Sequence, residues 1–368
     1  MHLSLFFIQF YHFYNHPKFS KFHFIFILSL TMVQLVADVL LLILNELRDD
    51  PSSLHSCVLV NKSWFSLAMP ILWRSLYYTH EDSISFNKVF DVISYFLPSE
   101  SPLFKNGFKL PSNRQLIFNY MTFFTHISPT FVNDIVQSVT TEKEAKIYDY
   151  KKNMLEEEIY KVIFNNCKNV KCFYWSTYHS LHLFPNAEPF FANLSSLGIS
   201  LTIANPTILY ELARICQNIV TLEINECNRD CLGLLHFINV QTKLQSLCLH
   251  LCDVREQLVY LSEAIEGKAV TLKRLTIKSS VTSISPKFLL SLRNLEYLVL
   301  NNYVNQLSRY TKVWSYYLSK ADFPKLRYFE MSCLTNVLES FLILKYTNKF
   351  KSMTLLNDQY KLIFENDL

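Results

Sequence analysis

Residues 272–277 read Leu-Lys-Arg-Leu-Thr-Ile, an apolar-x-x-apolar-x-apolar pattern. The second and third apolar residues alternate with polar ones, which is the period of a strand that is buried on one face. The same pattern returns in phase at seven other places, first at Val170 and last at Phe350. It predicts one strand motif repeated through the C-terminal half of the chain.

The eight copies recur at a nearly constant distance. They are Val170/Phe173/Trp175, Leu194/Leu197/Ile199, Ile219/Leu222/Ile224, Leu244/Leu247/Leu249, Leu272/Leu275/Ile277, Leu295/Leu298/Leu300, Leu326/Phe329/Met331 and Phe350/Met353/Leu355. Their starts are 24, 25, 25, 28, 23, 31 and 24 positions apart, a period typical of leucine-rich repeats. Helical patterns lie between them, at residues 207–216, 231–238, 254–265, 286–292, 313–318 and 337–344.

Each predicted repeat is a strand, a turn and a helix. One such unit cannot bury its apolar face alone, so stacking of neighbouring units supplies the core. We therefore predict an α/β leucine-rich-repeat solenoid of about eight repeats over residues 166–368. Its parallel strands would form the concave face and its helices the convex face.

The residues between the strand leucines should lie side by side on that concave face, because side chains alternate along a strand. They are Tyr174, Glu223, Asn225, His250, Arg274, Thr276, Lys278, Tyr297, Asn301, Tyr328 and Glu330. Tyr and Arg are enriched where proteins bind one another, so we expect this face to bind a protein substrate. Arg274 and Lys278 suggest an acidic or phosphorylated ligand, although basic pairs are also common on solvated strands.

Residues 34–76 carry a different, helical pattern. Asp38 begins a helix in which apolar residues fall at offsets 0, 1, 4, 5 and 8 from Val39. Leu41 and Leu42 extend this apolar surface beyond what one core needs. Asp50-Pro51 predicts the N-cap and first residue of a second helix, and residues 62–69 predict a third, which Pro70 should end. Three short helices bury little area, so such a unit tends to complete its core on a partner.

This segment resembles an F-box. The resemblance rests on Leu35-Val36-Ala37-Asp38-Val39-Leu40, on Cys57 through Asn61-Lys62-Ser63-Trp64, and on Leu72-Trp73-Arg74. The family places Leu-Pro near the start, where this chain has Leu35-Val36. An ordinary three-helix cap on the following domain is the alternative interpretation.

The resemblance implies a function as well as a fold. F-box proteins with leucine-rich repeats are substrate receptors of SCF-type cullin–RING ubiquitin ligases: the F-box binds a Skp-type adaptor, and through it cullin. The residues expected to dock the adaptor are Leu35, Val39, Leu40, Ile43, Leu44, Leu54, Val58 and Trp64. Ubiquitin transfer would then belong to partner subunits, and this chain would be a non-catalytic adaptor that holds no cofactor.

Composition excludes several classes of function. The chain has 4 glycines in 368 residues, and none is spaced as in the phosphate-binding loops of Rossmann or P-loop enzymes. No catalytic motif is present. The formal net charge is +4, which gives no strong field for nucleic acid. We expect neither enzyme activity nor nucleic-acid binding.

The 9 cysteines are odd in number and irregularly spread, which indicates reduced thiols and a cytoplasmic or nuclear protein. Cys227, Cys231, Cys248 and Cys252 form a C-x₃-C-x₁₆-C-x₃-C series that superficially resembles a zinc site. Cys227 and Cys252, however, each follow the last strand position by three residues, where the repeat pattern asks for Asn or Cys. We therefore predict no metal site.

Residues 1–31 are rich in phenylalanine and show no period. The apolar run at residues 22–30 is shorter than the ~20 residues that span a bilayer, so no stable membrane insertion is expected. Either Met32 is the true start, or the segment is a leader or membrane-surface anchor. The second possibility belongs to a rival interpretation, a secreted or membrane-associated leucine-rich-repeat protein with sugar at Asn61 or Asn193.

Residues 77–165 show no repeat and are predicted to be a helical connector packed against the start of the next domain. Helical patterns lie at residues 87–97, 114–126 and 130–139. The mixed charge run at residues 143–152 indicates a solvated helix face.

Overall fold

The computed structural model describes residues 37–75, 86–108, 116, 119–140, 145–254, 257–302, 311–332, 352–356 and 361–365. Residues 1–31, Leu35 and the helix predicted at 337–344 lie outside these ranges. The chain forms two compact units, the first made of residues 1–85 with 118–123 and the second of residues 86–117 with 124–368.

Within its described residues, the first unit has the α-helices α1 (Ala37–Glu46), α2 (Pro51–Val58) and α3 (Lys62–Ser75). As predicted, Asp50 caps α2, because its carboxylate accepts a hydrogen bond from the Ser53 backbone N–H at 3.1 Å. Asn61 caps α3 in the same way, accepting from the Trp64 N–H at 3.0 Å. These two short polar side chains fix where the chain turns between helices.

The predicted end of the third helix at Pro70 is wrong, because α3 continues through it to Ser75. Proline removes one backbone donor from a helix. Ala68, Met69 and Ile71 on either side of Pro70 are all buried in the same core, and this burial keeps the helix intact.

In the described part of residues 86–166, the second unit has the α-helices α4 (Phe86–Ser94), α5 (Pro102–Lys105), α6 (Phe131–Val139) and α7 (Ala145–Asn166). The predicted helix at 114–126 is wrong over its described C-terminal part, where a 3-10 turn (Tyr120–Phe123) is followed by strand β1 (His126–Ile127). His126 and Ile127 are not helical because β1 pairs parallel with the strand that contains Cys172 and Phe173.

A ten-stranded sheet organises the rest of the unit. After β1 come β2 (Cys172–Trp175), β3 (Ser196–Ser200), β4 (Thr221–Cys227), β5 (Ser246–Leu251), β6 (Arg274–Ser279), β7 (Tyr297–Asn302), β8 (Tyr328–Ser332), β9 (Ser352–Leu356) and β10 (Lys361–Glu365). The first eight are parallel neighbours in chain order.

The repeated apolar residues form two columns across strands β2 to β8. Partner by partner, the columns are Phe173-Leu197-Leu222-Leu247-Leu275-Leu298-Phe329 and Trp175-Ile199-Ile224-Leu249-Ile277-Leu300-Met331. Every one of these side chains is at most 1% exposed. The predicted strand motif is thus confirmed for seven of its eight copies.

Each strand from β2 to β8 begins with the same backbone joint, in which one carbonyl of the preceding strand segment accepts two N–H groups. The carbonyl of Ser195, for example, accepts two hydrogen bonds from the next strand, from Val220 N–H at 2.7 Å and Thr221 N–H at 3.0 Å. The equivalent pair is accepted by the carbonyls of Thr125, Lys171, Val220, Gln245, Lys273 and Glu296. Each strand therefore fixes the start of its successor.

The eighth copy of the motif does not continue the parallel row. It forms β9, which pairs antiparallel with β10, and β10 pairs antiparallel with β8. Only residues 357–360 separate β9 from β10. Such a short connection can join antiparallel strands but not parallel ones, and β10 takes the edge of β8 that a further parallel strand would need.

Helices connect the strands, with bounds close to those predicted in most places. They are α8 (Ala187–Ala192), α9 (Pro206–Ile215), α10 (Leu232–Val240), α11 (Val259–Gly267) and α12 (Thr311–Lys320). The pattern did not predict α8, and the helix predicted at 286–292 is a 3-10 segment, Pro286–Leu290. Two further 3-10 segments are Leu181–Leu183 and Val281–Ser283.

Helix α7 packs against the start of the sheet, as predicted for the connector, and lies within the second unit. Phe164 on α7 packs against Phe173 of β2, with ring centroids 6.3 Å apart, and Tyr160 contacts the same ring. The division of the structure accordingly falls at residues 85 and 86, not at residue 165. No helix within the described ranges has both the length and the apolar content to cross a bilayer.

Asp230 caps a helix of the following repeat. Its carboxylate accepts hydrogen bonds from the N–H groups of Tyr260 at 2.7 Å and Leu261 at 3.1 Å, at the start of α11. The N-cap residue of that helix, Leu258, has no side chain that could do this. Asp230→Ala should therefore lower the free energy of unfolding by about 1–2 kcal/mol.

Urea unfolding of the full chain measures this loss, and amide hydrogen exchange locates it at the start of α11. Asp253→Ala removes an exposed carboxylate and should change little. Equal losses for the two variants would contradict the capping role.

Candidate functional site

Part of α1 presents apolar side chains to solvent. Val39 is 45% exposed and Leu42 is 68% exposed, while Ile43 is half-buried. A helix turns by about 100° per residue, so these three side chains project from one side, away from the buried Leu40 and Leu44. We call Val39, Leu42 and Ile43 the α1 patch.

The structure corrects part of the predicted docking set. Five of its members, Leu40, Leu44, Leu54, Val58 and Trp64, are at most 7% exposed and pack into the core of the first unit. Their burial leaves them little surface for a partner, so they support the helices instead. Of the predicted residues, Val39 and Ile43 keep accessible surface, and Leu35 lies outside the described residues.

Three accessible apolar residues were missed in the predicted set. Leu42 lies in the α1 patch, Leu41 is 39% exposed on another side of α1, and Leu59 is 63% exposed after α2. The sequence did contain a signal for two of them, since Leu41 and Leu42 exceed what the periodic face of α1 requires. An excess of apolar residues over the core period marks surface available to another protein.

A comparison with known families bears on these helices. An F-box-like family model matches residues 37–79. This segment is an F-box-like domain. F-box domains generally bind Skp-type adaptors, and the match suggests a substrate-adaptor role in SCF-type ligases. No curated protein matches the chain.

A second candidate surface is the open face of the sheet, opposite the buried columns. Of the predicted residues, Arg274 is exposed, and Tyr174, Glu223, Asn225, His250, Thr276, Lys278, Tyr297 and Tyr328 are half-buried. The strand register brings Arg274, Tyr297 and Tyr328 into one row. His250, Lys278 and Asn301 form another row.

Two predicted residues of this face are not accessible. Asn301 and Glu330 are each 8% exposed. The Asn301 amide donates to one carboxylate oxygen of Glu330 at 2.9 Å, and the Tyr328 hydroxyl donates to the other at 2.5 Å. Their hydrogen bonds tie β7 to β8, which corrects their assignment as exposed contact residues.

The alternation of buried and accessible residues along β4 breaks just after Asn225. The pairing of β4 with β5 shifts between Ile224 and Cys227, and Glu226 within the shift has a φ of 56°. The Asn225 amide donates to Glu223 at 3.2 Å. Hydroxyl donors Ser200 and Thr202 lower the pKa of Glu226, so the bulge presents a carboxylate.

An aromatic and cationic row crosses β6 to β8. The guanidinium carbon of Arg274 lies 4.5 Å from the ring centroid of Tyr297, within the range of a cation–π contact. Tyr297 stacks on Tyr328 with centroids 5.7 Å apart. We call Arg274, Tyr297 and Tyr328 the stacked row.

His250 provides little positive charge at neutral pH. Burial and the nearby Lys278 lower its pKa, opposed by Glu223. The His250 Nε2 atom is 3.8 Å from a Glu223 oxygen, too long for a strong hydrogen bond. Since the pKa falls below the ordinary value of about 6.5, the imidazole is mainly neutral at pH 7.

The half-buried thiols on this side show no sign of activation. Burial raises the pKa of Cys248 to about 11 and raises the pKa of Cys172. A nucleophilic or metal-binding cysteine needs a lowered pKa. Within the described ranges, no group of three or more His, Cys, Asp or Glu side chains could hold a metal ion.

Gly198 is required by a close contact on the open face. Tyr174 pairs with Gly198 across β2 and β3, and a Cβ at residue 198 would lie 2.1 Å from the Tyr174 ring. The ring therefore lies over the glycine backbone. Burial, followed by Glu223, raises the pKa of Tyr174 to about 12, which keeps the phenol protonated.

Gly198→Ala should force the Tyr174 ring aside and lower the free energy of unfolding by about 1–3 kcal/mol. In a Tyr174→Ala background the same substitution should cost much less, because its steric partner is gone. A double-mutant cycle by urea unfolding measures the difference. Equal costs in the two backgrounds would show that the ring is not the constraint.

Proposed function

We propose that this protein is a non-catalytic substrate-recognition adaptor of an SCF-type cullin–RING ubiquitin ligase. Its F-box-like domain would bind a Skp-type adaptor, and its repeated strand–helix units would bind a protein substrate. The observation that carries the proposal is an F-box-like domain that has its own core and still exposes apolar residues on α1.

The α1 patch supports docking energetically. A leucine side chain gains roughly 1.5–3 kcal/mol when it passes from exposed to fully buried. Leu42, at 68% exposed, has most of this gain still to make, and Val39 about half of it. Because the buried core already orders the helix, little further ordering is needed when a partner covers the patch.

The second unit supports a leucine-rich-repeat assignment. Seven copies of the strand motif stand in one parallel row and share one backbone joint. Consecutive helices pack together, and Gly233 of α10 permits close approach to α9, since a Cβ there would lie 2.7 Å from the Pro206 carbonyl oxygen. Repeats of this kind offer an extended open sheet for protein recognition.

The mechanism would be proximity. Holding a substrate in the same complex as the ubiquitin-loaded enzyme turns a bimolecular encounter into a nearly intramolecular one. The chain would make and break no bond itself, and cullin would be reached through the adaptor. Such a complex works in the cytoplasm or nucleus, and the raised pKa values of the half-buried thiols described above are compatible with reduced cysteines.

A secreted, glycosylated protein would carry sugar on Asn61 or Asn193, but both side chains have structural roles. The Asn61 side chain caps α3, and the Asn193 amide donates to the carbonyls of Lys168 at 2.8 Å and Val170 at 3.2 Å. Both acceptor motifs thus lie at positions where the side chain stabilises the fold, which favours the adaptor function.

Val39→Asp combined with Leu42→Asp should abolish co-purification of a Skp-type adaptor with the full chain. The substitutions place two charges where apolar area would be buried, and leave the buried residues of the core unchanged. Co-expression followed by affinity purification measures the retained adaptor.

Leu183→Asp is the matched control, because Leu183 is 74% exposed and lies in the second unit. It should leave co-purification unchanged. Undiminished adaptor binding by the Val39/Leu42 double variant would overturn the docking surface, and no adaptor with the unaltered chain would overturn the proposed function.

A further inference from the structure

Strand β6 places two cations on the open face of the sheet. Arg274 is exposed and Lys278 is half-buried. Among the residues that the structure describes, neither forms an ion pair with a carboxylate. Both side chains lie on the same face, since they are four residues apart, and their Cα atoms are about 13 Å apart at ~3.3 Å per residue.

The stacked row holds Arg274 in place. Its guanidinium lies over Tyr297, and Tyr297 in turn stacks on Tyr328. The Tyr328 hydroxyl is fixed by its hydrogen bond to Glu330. Arg274 is therefore partly ordered before any ligand arrives.

Carboxylates limit the positive charge of this region. Glu223 on β4 and Glu330 on β8 each lie two strands from β6, about 10 Å away at the usual strand spacing. One phosphate cannot reach both cations, because their Cα atoms are about 13 Å apart. Two separate acidic side chains on an extended chain can span that distance, so the spacing of Arg274 and Lys278 favours an acidic segment over a single anionic group.

We propose that β6 and the stacked row bind an extended acidic segment of another protein. Two Asp or Glu side chains four residues apart in an extended chain would meet Arg274 and Lys278, and an adjacent apolar side chain would pack on Tyr297 and Tyr328. The proposal rests on the proposed function only in taking this segment to belong to the substrate.

Immobilised pools of short peptides test the proposal. Each pool has random residues except at two positions four apart, which are both Glu, both Gln or both phosphoserine. Retention of the purified full chain is measured on each pool. The Glu pool should retain about fivefold more protein than the Gln pool, as expected for two exposed ion pairs.

Arg274→Gln with Lys278→Met should reduce retention on the Glu pool to the level of the Gln pool. The control is Arg293→Gln with Lys287→Met, which removes the same charge from exposed residues between β6 and β7 and should keep the preference. Raised salt should weaken the preference of the unaltered chain.

Equal retention on the Glu and Gln pools would overturn the proposal, as would an equal loss in the control variant. Stronger retention on the phosphoserine pool than on the Glu pool would also overturn it, in favour of a phosphorylated ligand. Adaptor co-purification, measured on the same preparations, should be unaffected by Arg274→Gln with Lys278→Met. Loss of adaptor binding would contradict the proposed function, whereas loss of the peptide preference would contradict only the acidic-segment proposal.

Discussion

The second unit depends on burial of the same two positions in every strand from β2 to β8. Each apolar column is continuous across seven strands, so a shift of one residue in any strand would turn its buried side chains to the open face. The shared carbonyl joint enforces the same register from the backbone. Together they determine which side chains are left on the open face, including Arg274 and Lys278.

The first unit shows the opposite use of apolar residues. Its core is complete in itself, with Leu44 and Leu54 fully buried, yet Val39 and Leu42 remain outside it. The direction of each side chain on α1 separates the two roles: Leu40 and Leu44 face the core, whereas Val39 and Leu42 face solvent. The residues that hold the F-box-like domain together are thus different from those that could contact an adaptor, although α1 contributes to both sets.

Much of this architecture could be predicted from the sequence, because a strand pattern repeated in phase constrains both register and side-chain direction. The N-cap at Asp50 could be predicted from the Asp-Pro pair, and the parallel row from the repeated strand pattern. Accessibility was harder to predict: Leu40 and Trp64 look like docking residues until the neighbouring helices cover them. Asn301 and Glu330 have the right alternation for an open face, but hydrogen bonding between strands buries them. The hairpin of β9 and β10 depends on a long-range competition for one sheet edge, which the repeat pattern does not contain.

The hairpin of β9 and β10 terminates the parallel row of strands at β8. A sheet built from identical parallel units could accept another unit, or another molecule, at its last strand, because the edge presents unpaired N–H and C=O groups. Here β10 runs in the reverse direction along β8, so its outer neighbour is β9 and not a further parallel strand. The edge of β8 is therefore closed to another parallel unit, and the outermost strand on this side of the sheet is β9.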